Sequence, residues 1–151
     1  MRIKWSRWIP WDDLHRARRV PIHDCPGVYE ARRRDTGDSR LHTGKATHLR
    51  ARIKSGLVRG TLPHSAGERI RRAEDISRVE VRFGTTATGK DARAAEQELY
   101  RRYRARHGGE APEAHEAFLI GDLGRFWDAQ TVRGRAQRAA GQEWNPRFPG
   151  R

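Results

Sequence analysis

One stretch, CPGVYEARRRDTGDSRLHTGKATHLRARI from Cys25 to Ile53, restricts the folds open to this chain more than any other. Val28, Tyr29 and Ala31 open a short strand. Asp35-Thr36-Gly37-Asp38-Ser39 combines turn formers with a residue free to adopt positive φ, which predicts a hairpin. Leu41-His42-Thr43 is the returning strand, ended by Gly44, and Thr47 is placed to cap a helix starting near His48. A strand pair running directly into a helix calls for a sheet with helices packed on it. It also gathers Tyr29, His42, Lys45 and Arg52 near one junction, a polar and cationic group that needs an anionic partner.

The 151 residues match the usual size of one domain. The charge is +13 at neutral pH, from 32 Lys and Arg against 19 Asp and Glu. Net charge speaks to partners rather than to fold, and nucleic acid comes first, ahead of an anionic membrane surface. There is no apolar run of about 18 residues, and no basic helix carries a strongly hydrophobic opposite face. A single cysteine, Cys25, excludes an intrachain disulfide and a thiolate metal site, and fits a reducing cytoplasm. The N-terminus lacks the apolar core of a signal peptide.

Ahead of the hairpin, Pro10 followed by Trp11-Asp12-Asp13-Leu14 reads as a helix start, continuing to about Arg18. Trp5, Trp8 and Trp11 recur every third residue, as an aromatic cap on a small core or as stacking platforms for bases. Behind it, Leu49 and Ile53 mark the buried side of a helix over 47–55, broken by Ser55-Gly56 and by the Gly60 to Pro63 segment. His64–Ala73 is a second helix with Ala66, Ile70 and Ala73 on one face. Ile76–Phe83 alternates as a third strand. The clearest helix spans Asp91–His107, with the stripe Ala92, Ala95, Leu99, Tyr103 and a stop at Gly108-Gly109. Ala111-Pro112 begins a loop carrying His115. Phe118 to Leu123 adds packing residues, 126–140 is a final helix, and 142–151 is a tail.

Three features are candidates for chemistry. Tyr29 and His42 can face each other across the hairpin. A tyrosine acts as a base near neutral pH only if cations favour its phenolate, and Lys45 and Arg52 are at hand; the alternative is a half-buried strand tyrosine with a hydrated hydroxyl. Arg50 and Arg52 lie about 200° apart around a helix, so only one can face the strands, and Arg52 sits beside Leu49 and Ile53. Its planar fork suits phosphate. Glu96, on the edge of an apolar stripe, has a reason to be there: pairing with Arg93 or Tyr100, or ligation of a divalent metal, for which one protein carboxylate suffices in a Mg²⁺ site. There is no Walker loop, HExxH, Cys/His zinc spacing or GxSxG.

In order along the chain, these residues resemble the GIY-YIG nuclease family. Gly27-Val28-Tyr29 stands for the first strand motif and His42-Thr43-Gly44 for the second. Gly44 through Arg52 is similar to the nuclease module of the excinuclease C subunit, Ala92-Arg93-Ala94-Ala95-Glu96 with Leu99 to the glutamate helix, and Gly109 to His115 to the closing segment. His42 replaces the second tyrosine, His115 the usual asparagine, and Gly56 a histidine or tyrosine one turn after the arginine, for which His64 is the candidate substitute.

The resemblance implies an α/β (α+β) domain over 25–116 with a small, mainly antiparallel three-stranded sheet flanked by helices, preceded by an aromatic lead-in over 1–24 and followed by a C-terminal helix and basic tail over 117–151. It implies Mg²⁺- or Mn²⁺-dependent hydrolysis of DNA. Tyr29 would be the base, His42 a group that orients or relays at the same centre, Lys45 the cation lowering the Tyr29 pKa, Arg52 the phosphate ligand and Glu96 the metal ligand. Arg50, His64, Arg69 and Arg93 would contact double-stranded or branched DNA, with a homodimer or partner protein supplying specificity in repair, restriction or a mobile element. The rival expectation is an inactive nucleic-acid-binding module on the same fold; a basic protein-interaction domain is the third.

Overall fold

The computed structural model describes residues 2–16, 21–37, 39–110 and 112. His115, the packing residues after it, the helix expected over 126–140 and the tail lie outside these residues. In chain order the elements are β1 (Ile9–Pro10), α1 (Trp11–His15), β2 (Gly27–Arg33), β3 (His42–Ala46), a π-helix (Ala51–Arg59), α2 (Ser65–Ala73), β4 (Val79–Thr85) and α3 (Gly89–Arg106). The strands form one antiparallel sheet in the order β1-β4-β2-β3. No helix among the described residues is long and apolar enough to cross a membrane.

The sheet has four strands where three were expected. The extra one is the two-residue β1, with Ile9 opposite Val81 and Pro10 opposite Glu80. A pair of residues has no periodicity to read. Pro10, which lacks an N–H, is tolerated because β1 is an edge strand. The hairpin registers Tyr29 opposite Gly44 and Val28 opposite Lys45. Gly44 therefore sits inside β3 rather than ending it. The third expected strand starts at Val79, not Ile76. The Asp75 side chain accepts the Ser77 N–H at 3.2 Å and folds Ile76–Arg78 into a single 3₁₀ turn first.

The helix after the hairpin also departs from expectation. No side chain caps it, so Thr47 is not its cap; Leu49 N–H goes instead to the Cys25 carbonyl at 3.0 Å. Ser55-Gly56 does not break it, and it runs to Arg59 as a π-helix. Ile53, Leu57 and Val58, at i, i+4 and i+5, face the core, which suits the wider i→i+5 winding. Arg71 of α2 ties the two helices together by donating to the Gly56 carbonyl at 3.1 Å and the Leu57 carbonyl at 2.5 Å. α1, the π-helix and α2 cover the sheet face bearing Tyr29, Ala31 and Val81, closing a core that includes Trp11, Leu14, Leu49, Ile53 and Ile70.

The opposite face is held by charge and aromatic rings. Buried Glu30 accepts from Arg82 at 2.6 and 2.9 Å, from Arg40 at 3.2 Å and from Thr43 at 3.2 Å. Arg82 stacks on Trp5 at 4.1 Å and Arg32 on Trp8 at 3.9 Å from the ring centroids. The three tryptophans thus divide: Trp11 fills the core, while Trp5 and Trp8 cover the chain's own arginines. α3 closes the outer edge of β3. Tyr103 Oη accepts the Arg40 N–H at 3.1 Å, Tyr100 donates its hydroxyl to the Thr43 carbonyl, and Lys45 N–H donates to the Glu96 carboxylate. An edge so occupied cannot template pairing with another chain.

Candidate functional site

Strand alternation aims Tyr29 at the face covered by the π-helix. Its ring is fully buried, at 0% exposure. Gly44 faces it across the hairpin, and a Cβ on Gly44 would lie 2.6 Å from both Tyr29 Oη and Cζ and 2.8 Å from His42 Nε2. No rotamer of a well-packed tyrosine absorbs that. Gly44→Ala is expected to destabilise the fold by about 1–3 kcal/mol, read as a lowered urea midpoint. An unchanged midpoint would show that the hairpin yields at this point.

Three rings and a guanidinium meet at the Tyr29 hydroxyl. His64, only 5% exposed, places Nε2 at 2.6 Å from Tyr29 Oη. Arg52 donates from Nε to the same oxygen at 3.3 Å and from Nη1 to the Pro63 carbonyl at 3.3 Å. His42 lies with its ring centroid 5.6 Å from that of Tyr29 and 5.4 Å from that of His64. His64 reaches in from the turn before α2, where it serves as the helix N-cap: Gly67 N–H donates to its Nδ1 at 3.0 Å. Gly56 leaves the space, since a Cβ there would stand 3.3 Å from His64 Cδ2. His64 thus lays its ring over Gly56 from outside the helix.

The cap fixes the protons. A backbone N–H can only donate, so Nδ1 holds a lone pair and the neutral ring carries its hydrogen on Nε2. His64 therefore donates to Tyr29. Protonating Nδ1 would turn a cap acceptor into a donor facing another donor. Burial, with the charges of Arg52 and Arg71, pushes the His64 pKa down to about 3. Tyr29 moves the other way. Burial raises it to about 12, against the lowering pull of the Arg52 charge and hydrogen bond, and the Glu96 charge adds a smaller push upward. Two N–H donors favour the phenolate, and desolvation outweighs them.

Glu96 is half-buried. Burial raises its pKa, opposed by the charges of Lys45, Arg93 and Arg52 and by the Lys45 N–H. Tyr100, burial raising its pKa, adds its hydroxyl at the same edge of β3. The expected residues thus separate. Tyr29, His42, Arg52 and His64 share one centre, and Glu96 is near enough that its charge and those of Tyr29 and Arg52 act on one another. Lys45 is exposed and paired in register with Val28, on the face away from Tyr29; its charge acts on Glu96, and the cation acting on Tyr29 is Arg52. Arg50 turns outward, 3.9 Å from Asp24. Arg69 is half-buried on α2, and Arg93 is exposed on α3 near Glu96.

His64 appeared in the sequence as a nucleic-acid contact and as the candidate substitute for the ring absent at Gly56, and its bond to Tyr29 depends on a fold-back 35 residues along the chain. Its place as the N-cap of α2, ahead of Ala66 and Ile70, is a second signal that a reading of His64 as the first helical residue passes over. Tyr100 gave no signal beyond lying four residues after Glu96. Comparison with family models, with curated proteins and with solved structures finds no match.

Proposed function

We propose that this chain is a metal-dependent endonuclease of the GIY-YIG type, hydrolysing phosphodiester bonds of DNA. The observation that supports the reading is the meeting of a buried tyrosine hydroxyl with a phosphate-suited arginine and a nearby half-buried carboxylate: Tyr29 Oη lies 3.3 Å from Arg52 Nε, and Glu96 lies within electrostatic reach of both.

Among the described residues no group of three or more His, Cys, Asp or Glu could hold a metal ion. A lone carboxylate is nevertheless a normal protein share for Mg²⁺ or Mn²⁺, whose remaining positions go to waters and phosphate oxygens. Glu96 would hold it, and when bound such an ion polarises the phosphate and stabilises the departing oxygen. The rest belongs to the chain. Arg52 is exposed and bridges Tyr29 to the Pro63 carbonyl through long contacts of 3.3 Å, so its guanidinium can turn from these weak partners to a phosphate. That movement uncovers the Tyr29 hydroxyl. Tyr29, as phenolate, takes a proton from the attacking water while that oxygen forms its bond to phosphorus and the bond to the leaving oxygen breaks. His64 Nε2–H stays on the Tyr29 oxygen throughout, and His42 orients from the same centre.

A DNA-binding module without cleavage is the second reading, favoured by the complete burial of Tyr29 in the free protein. Supercoiled plasmid with Mg²⁺ or Mn²⁺ separates the two. Nicking that chelation stops, and that Glu96→Ala reduces to background, supports the nuclease. Equal nicking by wild type and Glu96→Ala points to contamination and to the binding module.

A further inference from the structure

We propose that the cleft between the end of β3 and the first turn of α3 is a second phosphate seat, holding the nucleic-acid strand beside the Tyr29 centre. The identity of its ligand rests on the nuclease reading. The cleft has a volume of about 310 Å³ and is lined by Lys45, Ala46, Thr47, Gly89, Lys90 and Arg93. Three of these six residues are cationic, one offers a hydroxyl, and none is a carboxylate.

Six arginines elsewhere in the described residues are committed to carboxylates of the chain. Arg32 pairs with Glu80 at 2.7 Å, Arg33 with Glu74 at 2.8 Å, and Arg40 and Arg82 with Glu30 at 3.2 and 2.6 Å. Arg101 and Arg102 converge on Glu98 at 2.6 and 2.7 Å. The arginines that dominate the composition therefore do not make a uniformly sticky surface. Lys45, Lys90 and Arg93 are all exposed and are gathered from two elements around one recess.

The recess is chemically matched to a phosphodiester. The first turn of an 18-residue helix adds its N-terminal dipole to the three side-chain charges, and Thr47 adds a hydroxyl opposite Gly89. The seat is also a neighbour of the centre, because the charges of Lys45 and Arg93 both act on Glu96. A strand whose scissile phosphate lies at Arg52 and Glu96 would carry a flanking phosphate into this cleft. This also gives Lys45 a role that its placement away from Tyr29 supports: it holds backbone instead of tuning the tyrosine.

The test needs no cleavage. Binding of a short labelled DNA duplex is followed by fluorescence anisotropy in EDTA over a sodium chloride titration. Lys90→Ala/Arg93→Ala is compared with Arg101→Ala/Arg102→Ala, which removes the same charge from another part of α3. Each phosphate contact contributes about 0.9 to the slope of log affinity against log salt. The seat predicts a slope shallower by up to about 2 for the cleft variant and a slope within error of wild type for the other. Equal losses in the two variants, or no loss in the cleft variant, overturn it. Wild-type protein that binds with the predicted slopes yet never nicks plasmid removes the nuclease reading and leaves the seat. Nicking with an unchanged slope removes the seat alone.

Discussion

Tyr29→Phe is expected to fold and to lower metal-dependent plasmid nicking by roughly 10²–10⁴-fold, the range spanned by a positioned general base. The ring keeps its volume, so the core around Leu49 and Ile53 keeps its packing. What is lost is one oxygen accepting two hydrogen bonds, from His64 at 2.6 Å and Arg52 at 3.3 Å. Arg52 is exposed and regains its partner from water. His64 is buried, and its Nε2–H is left without an acceptor, which costs about 1–3 kcal/mol. The variant is thus somewhat less stable and almost inactive, and assays belong well below its melting temperature. Wild type should also show a characteristic pH dependence. With the Tyr29 pKa near 12, the phenolate fraction rises about tenfold per pH unit through the neutral and mildly alkaline range. The logarithm of the nicking rate should climb with a slope near one. A pH-independent rate, or a phenylalanine variant as fast as wild type, would take the base role away from Tyr29.

How far the sequence led can be seen at this residue. Turn chemistry at Asp35–Gly37 and alternation in Val28–Ala31 were enough to pair the strands and to set Tyr29 near His42. Helical geometry was enough to prefer Arg52 over Arg50, and the two do point to different partners, Tyr29 and Asp24. Each inference used residues a few positions apart. The features that were not legible depend on contacts across the chain. The partner of the Tyr29 hydroxyl is His64, delivered by a helix cap whose own bond to Gly67 is local but whose direction is set by packing over Gly56. β1 exists because β4 offers an edge, not because Ile9-Pro10 has strand character. The π-winding of 51–59 meets a demand of the core on Ile53, Leu57 and Val58 that no single-turn signal encodes. Lys45 was misplaced for a simpler reason: one residue along a strand reverses the face, so a neighbour of Gly44 in sequence is remote from Tyr29 in space.

The same buried histidine makes the protein sensitive to acid. His64 has an ordinary pKa of 6.5, lowered to about 3 in the folded chain. Between these values the unfolded chain binds a proton that the folded chain refuses, so the His64 contribution is fully present above pH 6.5 and is lost as pH falls toward 3. The slope is about 1.4 kcal/mol per pH unit, and the full span corresponds to roughly 5 kcal/mol. That is comparable to the whole stability of a small domain, about 5–15 kcal/mol. Urea unfolding at a series of pH values from neutral downward should show this loss well above the pH at which most carboxylates titrate. His64→Asn is the informative comparison. Its side-chain oxygen can still cap α2 at Gly67, as asparagine does at helix starts, but it has no proton to gain. The variant should be less stable than wild type at neutral pH, having lost the bond to Tyr29 and the ring packed on Gly56. Its stability should then fall less steeply with acid, so that the gap between the two proteins narrows by about 1.4 kcal/mol per unit below pH 6.5. Carboxylates common to both proteins, including Glu96 with its raised pKa, cancel in the difference. Two parallel curves would mean that His64 titrates normally in the fold, its Nδ1 taking a proton at the expense of the cap it forms with the Gly67 N–H.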